Sequence, residues 1–449
     1  MITLERFAQE TARRGCDSLL AKPLATNDNT KNQVYLGPNF EVLHLIPHGA
    51  LTAEGSGDAT RFKAPVSLSW FDEDFSSSAA PETKLILYPQ YPEVRLSGFL
   101  RGSGTAPAAL MRQRSKGYDI PARIMVLGVN AVEGRIYGYV AKEGTDFYAE
   151  IRAKLEDSPQ RGVFRDLSRF LPTESANSKL ELLHKLAQIH EHGWIESMRL
   201  NREGSLLACK SPNCGGFTLE AALGIRPNSR SEPDYLGWEV KQHGVENFDN
   251  LNRTLRNKGK PITLMTPEPK GGAYVELGVE KFVRKYGYPD RRQRPNRWNF
   301  GGHYEHGVPY DLTAVTLFVE GFDSACGKMS GSGRIVLVKA SEKEPIAIWP
   351  FAELLAHWSR KHAKAVYVPS MCLTEPTRCY CFANTVRLGE GTDYIKFLRA
   401  VTNGSVFYDP GIKVEMIAGK SVVKRRSQFR IASGELAQLY DTMHLEQVS

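Results

Sequence analysis

The stretch 231-SEPDYLGWEVKQHG-244 sets two carboxylates and one lysine around a short apolar run. Asp234 lies five residues before Glu239, and Lys241 two residues after it. Side chains alternate across a β-strand, so Glu239 and Lys241 share one face while Trp238 and Val240 take the other. The apolar face packs into a core and leaves the polar pair in a cleft. Asp234, just after Pro233, sits where a turn returns its carboxylate toward Glu239. Two carboxylates plus waters suit Mg²⁺, a hard cation that prefers oxygen donors and keeps part of its hydration shell. Such a cation polarises a phosphodiester and activates a bound water, and an adjacent lysine stabilises charge developing on phosphate. The competing explanation is a surface ion pair on an edge strand. Asp-x₄-Glu-x-Lys is short enough to arise by chance, so the surrounding sequence has to decide.

Working outward, GGFTLEAALGI (215–225) reads as a helix capped by Thr218 or by the glycines before it. Its Glu220 is placed to face the same cleft and to hydrogen-bond the metal waters or the lysine. LELLHKLAQIHEHGW (180–194) carries apolar residues at helical spacing and stops at Gly193. Downstream, KPITLMT (260–266), AVTLFVE (314–320), GRIVLVKA (333–340) and AKAVYVPS (363–370) read as strands, and PFAELLAHW (350–358) as a helix. This alternation predicts an α/β or α+β domain. Upstream, KLILY (84–88), VRLSGFL (94–100), ARIMVLGV (122–129) and RIYGYVAK (135–142) are short β-type runs punctuated by turn residues, as in a small barrel or sandwich. The polar stretch 155–179, with Pro159 and Pro172, separates the two regions. Domains at 1–172 and 178–449 are expected.

The chain of 449 residues is too long for one compact core. Hydrophobic content of 41% and charged content of 24% describe an ordinary globular protein. No run of 18 apolar residues is present, and the amphipathic start lacks an apolar signal core. A cytoplasmic protein with no membrane partner is expected. Seven cysteines, an odd number in a large chain, argue against a disulfide framework and for reduced thiols. Cys209 and Cys214 form C-x₄-C, and Cys379 and Cys381 form C-x-C; a structural zinc site would need both pairs to meet, and neither has the usual C-x₂-C spacing. Net charge is +8, with an isoelectric point near 9.0. RRQRPNRW (291–298) and KSVVKRRSQFR (420–430) concentrate positive charge beside aromatics. Each is a solvated charged face or a surface for a polyanion.

The order of elements from HEHGWIESMRL through GGFTLEAALG to PDYLGWEVK resembles the MvaI/BcnI group of restriction endonucleases, within the PD-(D/E)xK nuclease superfamily and related to the repair nickase MutH. The resemblance continues through ITLMT, RKYG, FAELLAHW and KRRSQFRIASGELAQLYD, over most of residues 180–445. It implies an α/β restriction-endonuclease-like domain, with Asp234 and Glu239 as metal ligands and Lys241 and Glu220 completing the catalytic set. It also implies Mg²⁺ as cofactor and double-stranded DNA as substrate. For DNA reading it points to Arg430, the arginine closing the C-terminal segment. The histidine pair expected just before it is replaced by Arg425 and Arg426, and an earlier arginine by Lys413. Arginine is chemically suited to guanine O6 and N7. His243 matches a histidine held by a relative, although a lone histidine is more often structural.

KPLATNDNTKNQVYLG (22–37) and YPQYPEVRLSGFLRG (88–102) resemble the EcoRII-type effector domain, a DNA-binding β pseudobarrel that grips the major groove with two arms. Glu93 and Arg95 match the Glu-x-Arg of its first arm, Tyr91 departs from an arginine there, and Tyr139 corresponds to the second arm's aromatic. The structural alternative for Glu93 and Arg95 is a cross-strand ion pair. The combination resembles type IIE restriction endonucleases, which implies a monomer, cleavage at CCWGG, and stimulation by a second copy of the site bound at the N-terminal domain. The alternatives are a repair or modification-dependent nuclease with the same core, and a DNA-binding protein whose carboxylates are structural.

Overall fold

The computed structural model describes residues 2–26, 32–112, 120–172, 178–211, 213–226, 234–249, 251, 260–292, 294 and 296–448. Pro233 and its two predecessors in the opening stretch lie outside the described residues, as do 173–177 of the expected inter-domain segment. The chain divides into two compact units, one of residues 1–55 with 60–184, the other of 185–449 with 56–59. Among the described residues, no helix is long and apolar enough to cross a membrane.

The first unit is β-rich, with two sheets. The larger runs in the order Gln160–Arg161, Phe164–Asp166, Ser18–Leu24, Arg123–Asn130, Arg135–Lys142, Ser67–Phe71, Ser77–Ala79. All eight residues of Arg123–Asn130 are buried, so this strand is covered on both faces. On one face it meets the helices Leu4–Arg13 and Asp146–Leu155, through Phe7, Ala8, Phe147, Ile151 and Leu155 against Ile124 and Val126. On the other, Leu68, Leu127 and Ile136 meet Leu36, Val66 and Leu96. The last two of these lead into the second sheet, ordered Val34–Tyr35, Glu93–Ser97, Lys84–Tyr88, Arg61–Pro65, Thr52–Glu54. The polar stretch after residue 155 is not simply a connection. Two of its segments are strands of the larger sheet, and Leu167 and Leu171 are buried in the core.

In the second unit the site is carried by a six-stranded sheet. Lys364–Leu373 is central, flanked by Thr385–Glu390 on one side and by Glu239–Gly244 and Cys379–Phe382 on the other. The Glu239–Gly244 strand pairs parallel to Lys364–Leu373 with Lys241 opposite Tyr367. The helix Ser178–Glu191 buries Leu182, Leu183, Leu186, Ala187 and Ile189, spaced at helical intervals. It ends before Gly193, whose φ of +73° suits glycine. Trp194 then opens a strand, Trp194–Glu196, directly after the stop at Gly193.

The second helix, Cys214–Ala222, is preceded by Asn213 rather than capped by Thr218. Thr218 is fully buried inside it, and its hydroxyl accepts from the Met198 amide at 3.2 Å. The helix packs directly on the Glu239–Gly244 strand. A Cβ at Gly215 would lie 2.7 Å from the Gln242 side-chain oxygen, so only glycine allows this approach without movement of Gln242. Cys209 and Cys214 are joined by a disulfide at the start of the helix, which corrects the expectation of reduced thiols and removes both sulfurs from any zinc site. Cys379 and Cys381 are free.

Candidate active site

Trp238, at 1% exposure, and Val240 are buried on one side of the site strand, as alternation requires. Lys241 is the exposed end of the polar pair, with 21% of its side chain accessible, and its Nζ lies 2.5 Å from Glu239 Oε1. Glu239 is fully buried, which corrects the expectation of a polar pair left open in a cleft. Two buried tyrosines from distant segments, Tyr367 and Tyr440, feel the Glu239 charge.

Asp234 reaches the strand by a tight turn. The Tyr235 amide donates to the Trp238 carbonyl at 3.0 Å and the Trp238 amide to the Tyr235 carbonyl at 2.8 Å. Leu236 and Gly237 adopt φ of +48° and +83°, and glycine suits the second of these. The turn lets Asp234 Oδ2 accept from the Val240 amide at 3.1 Å. Both carboxylates and the lysine therefore meet at the start of one strand. Glu220 is half-buried on the helix that packs against this strand.

Burial pulls the Lys241 ammonium down, but the charge of Glu239, its hydrogen bond and the charge of Asp234 outweigh it and hold the group above its ordinary value. Lys241 is thus a retained cation. Burial pushes Tyr367 up to about 12, so its hydroxyl stays protonated at neutral pH. Among the described residues no group of three or more His, Cys, Asp or Glu side chains is arranged to hold a metal. The donor set here is two carboxylates. That matches a hard divalent cation completing its shell with water and substrate oxygens, and does not match zinc or a soft metal.

His243 lies on the same face of the strand as Lys241, two residues on, but only 5% of it is exposed. Burial, then the Arg387 charge, depress it to about 3, so it is neutral. Neither ring nitrogen has a hydrogen-bond partner among the described residues. Arg430 is held inside the fold: Nη1 is 2.6 Å from Asp409 Oδ2, and Nη2 donates to the Pro261 carbonyl at 2.6 Å. Arg426 donates from Nε to Gln428 at 3.2 Å, while Arg425 is exposed. The two basic clusters, distant in sequence, converge on one sheet ordered Tyr288–Pro289, Arg297–Gly301, Gly411–Ile417, Lys420–Lys424. There Lys413 pairs with Asn299 on one side and Lys424 on the other.

In the first unit, Glu93 and Arg95 form an ion pair at 2.8 Å on the Glu93–Ser97 strand. Arg95 also donates to Gln33 at 3.2 Å and lies 5.4 Å from the Tyr88 ring centroid. Its Nε makes no hydrogen bond among the described residues. Tyr139 is on the other sheet, half-buried with its ring 5.7 Å from Phe147, so the structure does not bring it to Glu93 and Arg95. The exposed aromatics near that pair are Tyr35, opposite Arg95 in register, and Tyr91. Tyr367 carries no mark in the sequence beyond the strand pattern of 363–370, and Tyr35 none within the stretch 22–37.

Compared with known proteins, residues 183–440 match the MvaI/BcnI restriction endonuclease family, over more than half of the chain. The site strand, the helix before it and the basic sheet all fall within that span, which defines the protein as a restriction endonuclease, a hydrolase of DNA phosphodiester bonds. It belongs to the MvaI/BcnI restriction endonuclease family. The solved structure described as the restriction endonuclease MvaI–cognate DNA substrate complex is similar at 15% identity and TM-score 0.45, covering 59% of this chain and 97% of that one. MvaI in the absence of DNA is similar at 14% identity and TM-score 0.32, covering 61% and 98%. No curated protein matches.

Proposed function

We propose that the chain is a site-specific endonuclease that cuts double-stranded DNA with Mg²⁺ at a short sequence, CCWGG. The observation that carries this reading is the meeting of Asp234, Glu239 and Lys241 at the head of one strand, with Glu239 buried and Asp234 fastened to the Val240 amide. Asp234 and Glu239 would hold the cation, which when bound supplies a polarised phosphate and a more acidic water. Lys241 keeps its proton and presents positive charge where the phosphate becomes more negative. Glu220, from the adjoining helix, orients water or the lysine. The sheet that carries Arg297, Lys413 and Lys424, with Arg425 and Arg426 directly after its last strand, lies against the DNA backbone and grooves, while Arg430, engaged by Asp409 and the Pro261 carbonyl, and the buried His243 support that side from within the fold.

Residues 1–172 act in this reading as an effector domain of the EcoRII type that binds a second copy of the site, with 178–449 as the nuclease. The exposed Tyr35 and Tyr91 beside the partly exposed Arg95 favour the Glu93–Arg95 strand as the contact; Tyr139 acts only as support. The protein works as a monomer on two DNA copies, cutting the strands in succession.

Lys241→Ala is the direct test. Cleavage of plasmid DNA should fall at least about 100-fold while duplex binding persists. Equal cutting by wild type and variant would remove Lys241 from the mechanism. Sequencing the ends of the wild-type products reports the target and the bond cut, and ends lacking CCWGG would refute that specificity.

A further inference from the structure

Tyr367 is 0% exposed and stands directly opposite Lys241 in the parallel pair. Its hydroxyl lies 2.8 Å from the Tyr440 hydroxyl, also in the interior. Buried hydroxyls are costly unless satisfied, and a pair of phenylalanines would fill the same space without that cost. The two hydroxyls satisfy each other, yet each has one donor and two acceptor positions. If Tyr367 donates to Tyr440, its lone pairs remain available. Neighbouring strands are about 4.8 Å apart, and lysine and tyrosine have similar reach above a sheet. Lys241 and Tyr367 are therefore neighbours across the ladder, each within the other's electrostatic reach. On the far side of Tyr367 in register is Arg387, 3% exposed, with Nη1 donating to the Ser433 carbonyl at 2.5 Å. A lysine displaced that way would approach a like charge.

Glu239 now engages Lys241 at 2.5 Å, and the proposed mechanism asks the same carboxylate to hold a cation. Sharing that carboxylate with a cation weakens its hold on the lysine, which a second anchor would restore. We propose that Tyr367, locked in place by Tyr440, is the positioning residue that holds the Lys241 ammonium toward the phosphate once Glu239 is engaged by the cation. This rests on the catalytic reading of Lys241. Tyr367 touches no reacting atom; it acts through the lysine by keeping it in one geometry, which is where small displacements become large losses of rate.

The test uses full-length protein and steady-state cleavage of a short target duplex in Mg²⁺, with thermal melting as a check on folding. Tyr367→Phe, which keeps the ring, should lower kcat about tenfold and leave KM unchanged. Tyr440→Phe, which removes only the lock, should lower kcat about threefold in the same manner. Lys241→Ala is measured alongside. An inactive Lys241→Ala beside a Tyr367→Phe that turns over at the wild-type rate overturns the proposal and spares the catalytic reading. A Lys241→Ala that cuts normally overturns that reading and the proposal with it. A Tyr367→Phe whose KM rises as kcat falls, with a lowered melting temperature, also overturns it, because that is the signature of a merely structural tyrosine. Should Tyr367→Phe fail to fold, Tyr440→Phe carries the same decision.

Discussion

Two strands of this molecule carry the same local pattern, a glutamate and a cation two residues apart on one face. On the Glu239–Gly244 strand, Glu239 and Lys241 lie 2.5 Å apart, with side-chain exposures of 0% and 21%. On the Glu93–Ser97 strand, Glu93 and Arg95 lie 2.8 Å apart, with exposures of 21% and 32%. Spacing and ion-pair geometry are nearly equal, so neither tells the two apart. Their surroundings do. Around Glu239 stand a second carboxylate and two buried tyrosines. Around Glu93 and Arg95 stand an amide, a tyrosine ring and solvent. A fully buried carboxylate is costly unless compensated, and the compensation here includes a lysine that stays charged. Such an arrangement suits charge chemistry. A half-open arginine beside exposed aromatics suits instead the reading of a ligand's acceptor atoms.

If that contrast is sound, the first strand is the sharper target. Glu239→Ala should lower the cleavage rate by about 10³ or more, measured under single turnover, since it removes the carboxylate proposed to hold the metal and the partner of Lys241. Glu93→Ala should leave the chemical step on a saturated duplex near wild type. A comparable collapse in both variants would show that the two strands are not functionally distinct. The second strand has its own readout. Arg95→Ala should reduce the advantage of a plasmid with two target sites over one with a single site, a change of about tenfold at most, consistent with loss of a few charge-assisted hydrogen bonds. Persistence of the full advantage would take Arg95 out of effector binding.

The sequence made the first strand legible because everything needed was local. Alternation placed Glu239 with Lys241 and against Trp238, and the turn residues returned Asp234. The strands at 84–88 and 135–142 were read at their observed bounds for the same reason. What stayed hidden depends on long-range pairing. Tyr367 meets Lys241 across a parallel ladder, and Tyr440 comes from nearly the other end of the chain. The burial of Glu239 follows from those partners and has no signature in its neighbours. The basic clusters looked separate because strand pairing, not proximity in sequence, joins them. Arg430 reads as a DNA contact in the sequence because Asp409 and the Pro261 carbonyl, which engage it in the fold, lie on other elements. Thr218 matched a cap by residue type, but its hydroxyl is used by Met198.

His243 separates the strands in another way, through pH. The group is neutral in the fold down to about 3, whereas unfolded it takes a proton near its ordinary 6.5. Its contribution is therefore complete above about 6.5 and is lost as the pH falls from there toward 3, where the unfolded chain binds the extra proton. The loss is at most about 1.4 kcal/mol for each pH unit in that window. His243→Gln should flatten the fall of melting temperature between pH 6.5 and 4.5. An unchanged slope would mean that the buried ring titrates normally in the fold. No histidine lies on the Glu93–Ser97 strand, so that strand has no counterpart of this switch.

The smallest effect is expected from the Glu93–Arg95 pair itself. Its groups remain partly in water, so their mutual attraction is screened, and holding two long side chains in one geometry costs conformational freedom. A double-mutant cycle with Glu93→Ala and Arg95→Ala, read by urea unfolding, should give a coupling of no more than about 1 kcal/mol, shrinking further at high salt. The same cycle with Glu239→Ala and Lys241→Ala should give a larger coupling that salt changes little, because the buried carboxylate is poorly screened. If the exposed pair proves as strongly coupled as the buried one, Arg95 is committed to the fold and is a poor candidate for DNA. If it is weakly coupled, the arginine can leave Glu93 at little cost, as a residue that must exchange one partner for a base or a phosphate is required to do.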